Sequence, residues 1–323
     1  AKPLQSRRLW SRLEQPAGWI HRRLGRNWLL LMKFTTGAAL ILLAGLIWST
    51  QGLIIRNIHE AGAWTILFWR SLGTMAVILI WIRLTSQGPV LPGFRSAGLG
   101  AVAGGVSLVL AFAGAIYAFQ ATTVANAVLL FSASPFFAAI LGRLLLGETV
   151  APLTWFSMAL AACGVLVMVG GSIGRGAVDG NIAALISAFG FGSFTVALRW
   201  GKVDSMFPAV AIGAFFSVLT GAVVAHLLGQ ALLVPAHDIV VSVGMGVVTL
   251  AGGMLLYTIG SRVVPAAQAT LLSMTEVLLA PVWVWLALGE TVSTATATGG
   301  AILLVAVLLN AFGGKKPRLP ARA

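Results

Sequence analysis

From residue 35 onward the chain is a succession of apolar runs of about 20 residues, the length an α-helix needs to cross the hydrocarbon core of a bilayer. Ten such runs can be read: 35–57, 62–84, 95–118, 122–146, 151–171, 180–200, 206–229, 237–260, 265–288 and 294–313. Composition agrees. Of the 323 residues, 59% are apolar and 9% charged, against about 25% charged in an ordinary soluble domain. With 21 basic and 8 acidic residues, a soluble chain of this length could not cover its surface. A soluble enzyme, a disordered chain and a secreted disulfide scaffold are thereby set aside. The expected fold is all-α and integral to a membrane.

The connections between runs are short and carry turn formers: Gln87-Gly88-Pro89, Gly174-Arg175-Gly176, Val234-Pro235 and Gly313-Gly314. None leaves room for an extramembrane domain, so the chemistry is expected inside the membrane. The net charge of +13 would suggest nucleic acid in a soluble protein. Here it reads as orientation. With ten spans, both termini share one side. All the basic residues except Arg56, Arg70 and Arg175 then fall on that side. The positive-inside rule makes it the cytoplasm, and no nucleic-acid partner is expected. Residues 1–34 form a basic arm with Trp10, Trp19 and Trp28 among its charges, suited to an anionic lipid surface. A cleaved signal peptide is not expected, because the arm is too long and the next run spans. Residues 314–323 form a basic tail.

Leu146-Gly147-Glu148-Thr149-Val150 recurs as Leu288-Gly289-Glu290-Thr291-Val292. Counting back from each glutamate sets Asn126 against Gln268 and Ser134 against Glu276. Tyr117 meets Tyr257 with a two-residue insertion. Aligning Arg56 with Arg199 sets Trp48 against Phe191. Residues 35–171 and 180–313 thus read as two copies of one five-helix unit. Five is odd, so the second copy enters from the opposite face. Inverted repeats of this kind are built around a midplane site in secondary transporters.

These residues carry a family resemblance. Trp48-Ser49-Thr50-Gln51 ending in Arg56, Phe68-Trp69-Arg70-Ser71, Ser134-Pro135 before Leu-Gly-Glu, and Glu276 before the second Leu-Gly-Glu together resemble the EamA-type branch of the drug/metabolite transporter superfamily. The resemblance spans 35–313. It implies ten helices, a central cavity and transport of amino acids or other small metabolites, mostly outward, across a bacterial-type inner membrane. One departure is plain: the family's second repeat often reads Glu-Pro where this chain has Glu276-Val277.

The candidate cavity residues follow from charge and polarity at depth. A charged side chain near the bilayer centre costs roughly 2.5–3.5 kcal/mol on insertion scales. Arg70 and Glu276 therefore need a partner, a cavity or backbone carbonyls. A pair between them, contact with a substrate carboxylate and amine, and a proton-carrying role for Glu276 all stay open. Gln51, Asn126, Ser132, Ser193 and Gln268 supply amides and hydroxyls, which also serve as interhelical glue. Trp48, Tyr117, Phe191 and Tyr257 supply aromatic walls. Glu148 and Glu290 sit between helices, where a carboxylate can accept amide protons from the following helix N-terminus or act in gating. Small residues recur along the third run, from Gly100 to Ala118, and along the eighth, from Gly246 to Gly260. Pro135, Pro265 and Pro281 are candidate bends.

Enzymatic and metal-binding patterns are missing. There is no P-loop and no His-Glu-x-x-His. Cys163 is alone in an apolar run, where packing is its expected role, and the four histidines do not cluster in sequence. No cofactor or metal is expected, and the chain reads as a non-enzyme. The expected partners are a small-molecule substrate and the bilayer, with homo-oligomerisation left open. Within transporters, a multidrug or nucleotide-sugar carrier is the alternative. Outside them stand an intramembrane lipid-modifying enzyme and a non-transporting scaffold.

Overall fold

The computed structural model describes residues 34–85, 90–171, 177–203, 205–261, 263–264, 269, 272–273 and 275–313, the side chains of 90–97 and 311–313 excepted. The basic arm up to Lys33, Pro265, Gln268 and the basic tail lie outside the described residues. Among the described residues there is no strand. Eight helices are long and apolar enough to cross a membrane: α1 (Phe34–Arg56), α2 (Ala63–Thr85), α3 (Gly98–Ala121), α4 (Val124–Leu146), α5 (Pro152–Gly170), α6 (Val178–Trp200), α7 (Phe207–Leu227) and α8 (Ala236–Gly260). Two more apolar helices follow, α9 (Thr275–Leu288) and α10 (Thr294–Gly313). α9, at 14 residues, falls short of a full span, and so does α10 when taken only to Asn310.

Local chemistry sets the ends. The Thr123 hydroxyl accepts from the Asn126 amide at 3.2 Å and opens α4. The Ser293 hydroxyl does the same for the Thr296 amide at 3.1 Å before α10. Each satisfies one of the orphan N–H groups of a helix start. Pro152 and Pro208 occupy first-turn positions of α5 and α7, where a missing N–H costs nothing. Gly147 and Gly289 close α4 and α9 in the left-handed conformation, both at φ 66°, which glycine adopts without Cβ strain.

The packing repeats. α1 lies against α8 and α9, and α6 lies against α3 and α4. α2 packs on α8 and α7 on α3, while α2 meets α7 and α5 meets α10. Exchanging each helix number n for n+5 carries these principal contacts into one another. Close approach is bought by small residues. A Cβ on Gly190 of α6 would lie 2.5 Å from the Ala111 amide nitrogen of α3, and Ser187 donates to the Ala111 carbonyl at 2.7 Å. The small stripe of α3 is thus its interface with α6. Gly164 and Gly299 do the same for α5 and α10: a Cβ on either would come within 2.6 Å of the other's carbonyl oxygen. Helices touching at their backbones gain dispersion where lipid offers no hydrophobic drive.

The outward faces carry large apolar side chains such as Leu42, Ile80, Phe156, Leu166 and Leu286, a surface suited to acyl chains and hazardous in water. Cys163 belongs to this outer face. It is exposed rather than packed in a core, because Gly164 next to it takes the inward position. The histidine reading also changes. His59 and His237, 178 residues apart, stack with ring centroids 6.1 Å apart. They are brought together because the buried Asp238 carboxylate accepts from the backbone amides of Glu60 and Ala61 at 2.8 and 3.0 Å. That bond set ties the α1–α2 loop to the start of α8.

Gly164→Leu should overpack the α5–α10 contact at a cost of about 1–3 kcal/mol. The melting temperature of the purified protein should fall by several degrees, while Cys163→Leu beside it leaves melting unchanged.

Candidate functional site

Among the described residues, three helices depart from regular geometry around one place. α1 is interrupted at Thr50, between Ser49 and Gln51. The Ser49 and Thr50 hydroxyls turn back onto the Leu46 and Ile47 carbonyls, each at 2.7 Å. α4 is interrupted at Ser132-Ala133. There the chain tightens, with the Ser132 and Ala133 amides donating to Leu129 and Leu130, because Pro135 has no N–H to continue the ladder. α8 widens into a π-helix over Met245–Gly252. Such departures in an apolar setting mark places where a cavity or neighbouring groups take up the freed backbone.

A cavity of about 360 Å³ lies where these helices meet, within the size range of small-molecule sites. Among its walls are Trp48, Gln51, Arg70, Ser132, Phe191, Tyr257 and Glu276. Seven of the eleven residues expected from sequence therefore share one space. Three others, Asn126, Ser193 and Tyr117, do not line it. Asn126 is buried in a polar knot. Its amide nitrogen donates to Asn181 at 3.2 Å and Thr122 at 3.3 Å, and its oxygen accepts from Thr296. This is interhelical glue at the start of α4. Ser193 bonds back to the Phe189 carbonyl at 2.8 Å. It lies two residues from Phe191, which on a helix is the far side; Phe194 and Thr195, at three and four residues, face the cavity. Tyr117 is 40% exposed on the outer side of α3. Gln268 is outside the described residues.

The walls are aromatic. Trp48 and Tyr257 lie 5.7 Å apart at a tilt of 38°, Phe112 and Phe191 6.4 Å apart, and Phe119 and Phe131 5.4 Å apart and nearly perpendicular. Phe112, Phe119 and Phe131 were not singled out from the sequence. Their signal was there: Phe112, Ala115 and Phe119 recur at helical spacing beside the small stripe of α3.

The charges are the chemical core of the site. Arg70 is 1% exposed. Its guanidinium carbon sits 5.0 Å from the Phe112 ring centroid, a cation–π contact. Its Nε has no hydrogen-bond partner among the described residues. No ion pair joins it to Glu276, which lines the same cavity on α9. A cation and a carboxylate thus face one volume without cancelling. The arginine backbone is held hard. The Thr74 hydroxyl bridges the Arg70 and Gly246 carbonyls at 3.0 and 3.1 Å, and a Cβ on Gly246 would collide with the Arg70 carbonyl oxygen. The widened stretch of α8 is what brings Gly246 onto Arg70.

Around the cavity stand two further charge pairs. Arg199 grips Glu148 with both oxygens, at 2.7 and 2.8 Å. Arg56 approaches Glu290 at 3.2 Å, and Glu290 also accepts from the Val124 amide at 2.7 Å. The glutamates were expected to serve the helix that follows each in sequence. Glu290 instead serves α4 of the first repeat, because the turn at Gly289 directs it across the interface between repeats.

A family model described as the EamA-like transporter family matches this chain over residues 35–170 and 179–312. The two matched segments correspond to the two copies read from the internal repeat. A search of curated proteins returned no match. Among solved structures, a crystal structure of a protein at 18% identity covers 88% of this chain and 100% of its own, with a TM-score of 0.60. At that identity the likeness concerns the fold.

Asn126→Ala should leave Asn181 and Thr296 short of partners and cost about 1–3 kcal/mol of stability, measured by thermal melting. Gly246→Val should instead displace Arg70, and bound-ligand protection against melting should be lost.

Proposed function

The chain belongs to the EamA-like transporter family, and so to the drug/metabolite transporter superfamily; from that premise we propose that this multi-pass membrane protein exports small metabolites, amino acids foremost, by alternating access around the cavity between its repeats. In this reading all ten helices cross the membrane. The second repeat is inverted, and both termini face the cytoplasm of a bacterial-type inner membrane. The odd number of helices per repeat, the distribution of basic residues and the exchange symmetry of the packing support it.

The observation that carries the substrate class is the pair of uncancelled charges. Arg70 offers a guanidinium that matches a carboxylate in a two-point contact. Glu276 offers a carboxylate for an ammonium group, or a place to hold a proton when the cavity is empty. Trp48, Tyr257, Phe112 and Phe191 offer stacking and apolar contact to a side chain. A zwitterion satisfies both charges at once and replaces the water each would otherwise need. A purely cationic drug leaves Arg70 unsatisfied, and a large nucleotide sugar asks for more positive charge than one arginine.

The test is efflux from proteoliposomes loaded with labelled amino acids, drugs or nucleotide sugars. Saturable, protein-dependent efflux of amino acids is expected. Arg70→Gln should reduce it at least tenfold, the scale of a lost charge-assisted hydrogen bond of about 1.5–3 kcal/mol. Arg70→Lys should recover only part, because a point charge does not reproduce the fork. Absence of flux for every solute overturns the reading. Flux of drugs or nucleotide sugars alone overturns the substrate class. Glu276→Gln separates coupling from binding: an unchanged pH dependence of efflux removes Glu276 as the proton carrier.

A further inference from the structure

The two glutamates of the repeated pentapeptide have no part in the cavity, yet they share a geometry that the transport reading leaves unused. Each follows a glycine at φ 66°. Each turns its own amide back onto the helix it ends, Glu148 to the Gly142 carbonyl at 3.2 Å and Glu290 to the Val284 carbonyl at 3.3 Å. Each is then met by an arginine at the C-terminal end of the first helix of the other repeat: Glu148 by Arg199 of α6, Glu290 by Arg56 of α1. The contact is one and the same, made twice with the repeats exchanged.

The two contacts also bracket the cavity. Glu290 binds the amide of Val124, the first residue of α4, and Glu148 lies just past the last residue of the same helix. A helix of this length runs roughly 34 Å at 1.5 Å per residue. Its middle, from Val128 to Pro135, lines the cavity. One ion pair therefore stands toward each end of the cavity, and each ties the first repeat to the second.

Their exposure argues against a stability role. The side chains of Arg56 and Glu290 are 27% and 20% exposed, those of Arg199 and Glu148 43% and 39%. The Arg199–Glu148 pair, more than a third exposed, contributes little net stability, because water competes for both partners, and the Arg56–Glu290 pair is more enclosed but still partly open. The same weakness makes them cheap to break and remake. We propose that Arg56–Glu290 and Arg199–Glu148 are a matched pair of latches, one at each mouth of the cavity, which release alternately as the mouths open. This inference rests on the transport reading for its purpose but not for its test. The latches are not equal. Arg56 also donates to the Thr122 carbonyl at 2.8 Å, Glu290 takes the Val124 amide, and the Asn126 knot lies beside them. The Arg199 latch has its ion pair alone, one guanidinium nitrogen shared between both carboxylate oxygens, among the described contacts. The Arg199 mouth should yield first.

The test reads solvent access to a cavity position directly. Ser132→Cys is placed in a Cys163→Ser background and labelled with a membrane-impermeant maleimide, added to either face of vesicles of known orientation. Glu148→Gln should raise the labelling rate from the Arg199 face about two- to fivefold, the range that one such ion pair can supply. Glu290→Gln should raise it from the Arg56 face, by less. The charge-swapped double variants, Arg199→Glu with Glu148→Arg and Arg56→Glu with Glu290→Arg, should return the original rates, which guards against variants that merely misfold. A disulfide formed in Arg199→Cys with Glu148→Cys should abolish labelling from that face in a chain that still melts cooperatively. Rates indifferent to both glutamines, rates that rise on the same face for both, or swaps that fail to restore them overturn the proposal. Side-specific labelling without flux of any solute would sink the transport reading and leave the latches standing. Flux with indifferent labelling would sink the latches alone.

Discussion

The constraint on which this structure depends is that an apolar surrounding offers a backbone amide nothing to bond. A helix is the local answer, and almost all of the described chain is helical. Every interruption has to be compensated, and the chain concentrates its interruptions. The breaks at Thr50 and Ser132-Ala133 and the wide turns of Met245–Gly252 each set residues into one cavity, among them Gln51, Ser132 and Leu250. Hydroxyls of Ser49, Thr50 and Ser132 bond to carbonyls of the preceding turn. Irregular backbone and functional space are here the same place, because only a cavity lets polar groups that leave the ladder find other company.

The same logic governs charge. A buried arginine in lipid-like surroundings must be answered, and the cheapest answer is a carboxylate at hydrogen-bond distance. This chain has a carboxylate in the same cavity and does not use it so. Arg70 is answered by the face of Phe112, and its backbone is pinned through Thr74 and Gly246. Rigidity in the main chain and incompleteness at the guanidinium belong together. A fixed cation with spare donors binds a carboxylate without first having to leave another one.

How much of this was legible follows from what each signal measures. The spans, the repeat and the intramembrane charges were readable because run length, an identical pentapeptide and the cost of a buried charge each leave a mark in one dimension. The cavity lining was only partly readable. Polarity at depth pointed to Gln51 and Ser132 but equally to Asn126 and Ser193, and nothing in residue type says which side of a helix faces inward. Packing decided that: Asn126 turned toward α6 and α10, Ser193 onto its own helix. Phe112 and Phe119 escaped notice because apolar residues are unremarkable in an apolar chain. The stacking of His59 on His237 escaped because it is set by Asp238, whose distant partners are backbone amides of residues 59–61 and carry no signature in sequence.

The reciprocity of the arginine–glutamate contacts reaches beyond the finished molecule. Each five-helix half carries both members of the bond, an arginine at the end of its first helix and a glutamate after its fourth, yet bonds neither to the other. It offers the arginine to a neighbour and the glutamate to that neighbour's arginine, as a subunit does across a two-fold axis. The surface between the halves is thus self-complementary in kind, although a single chain holds both sides. A ribosome that has made only the first half has produced two unanswered charges, and the answer to both arrives with the second. The covalent link spares the halves from having to find each other, while the contact they make remains that of a dimer.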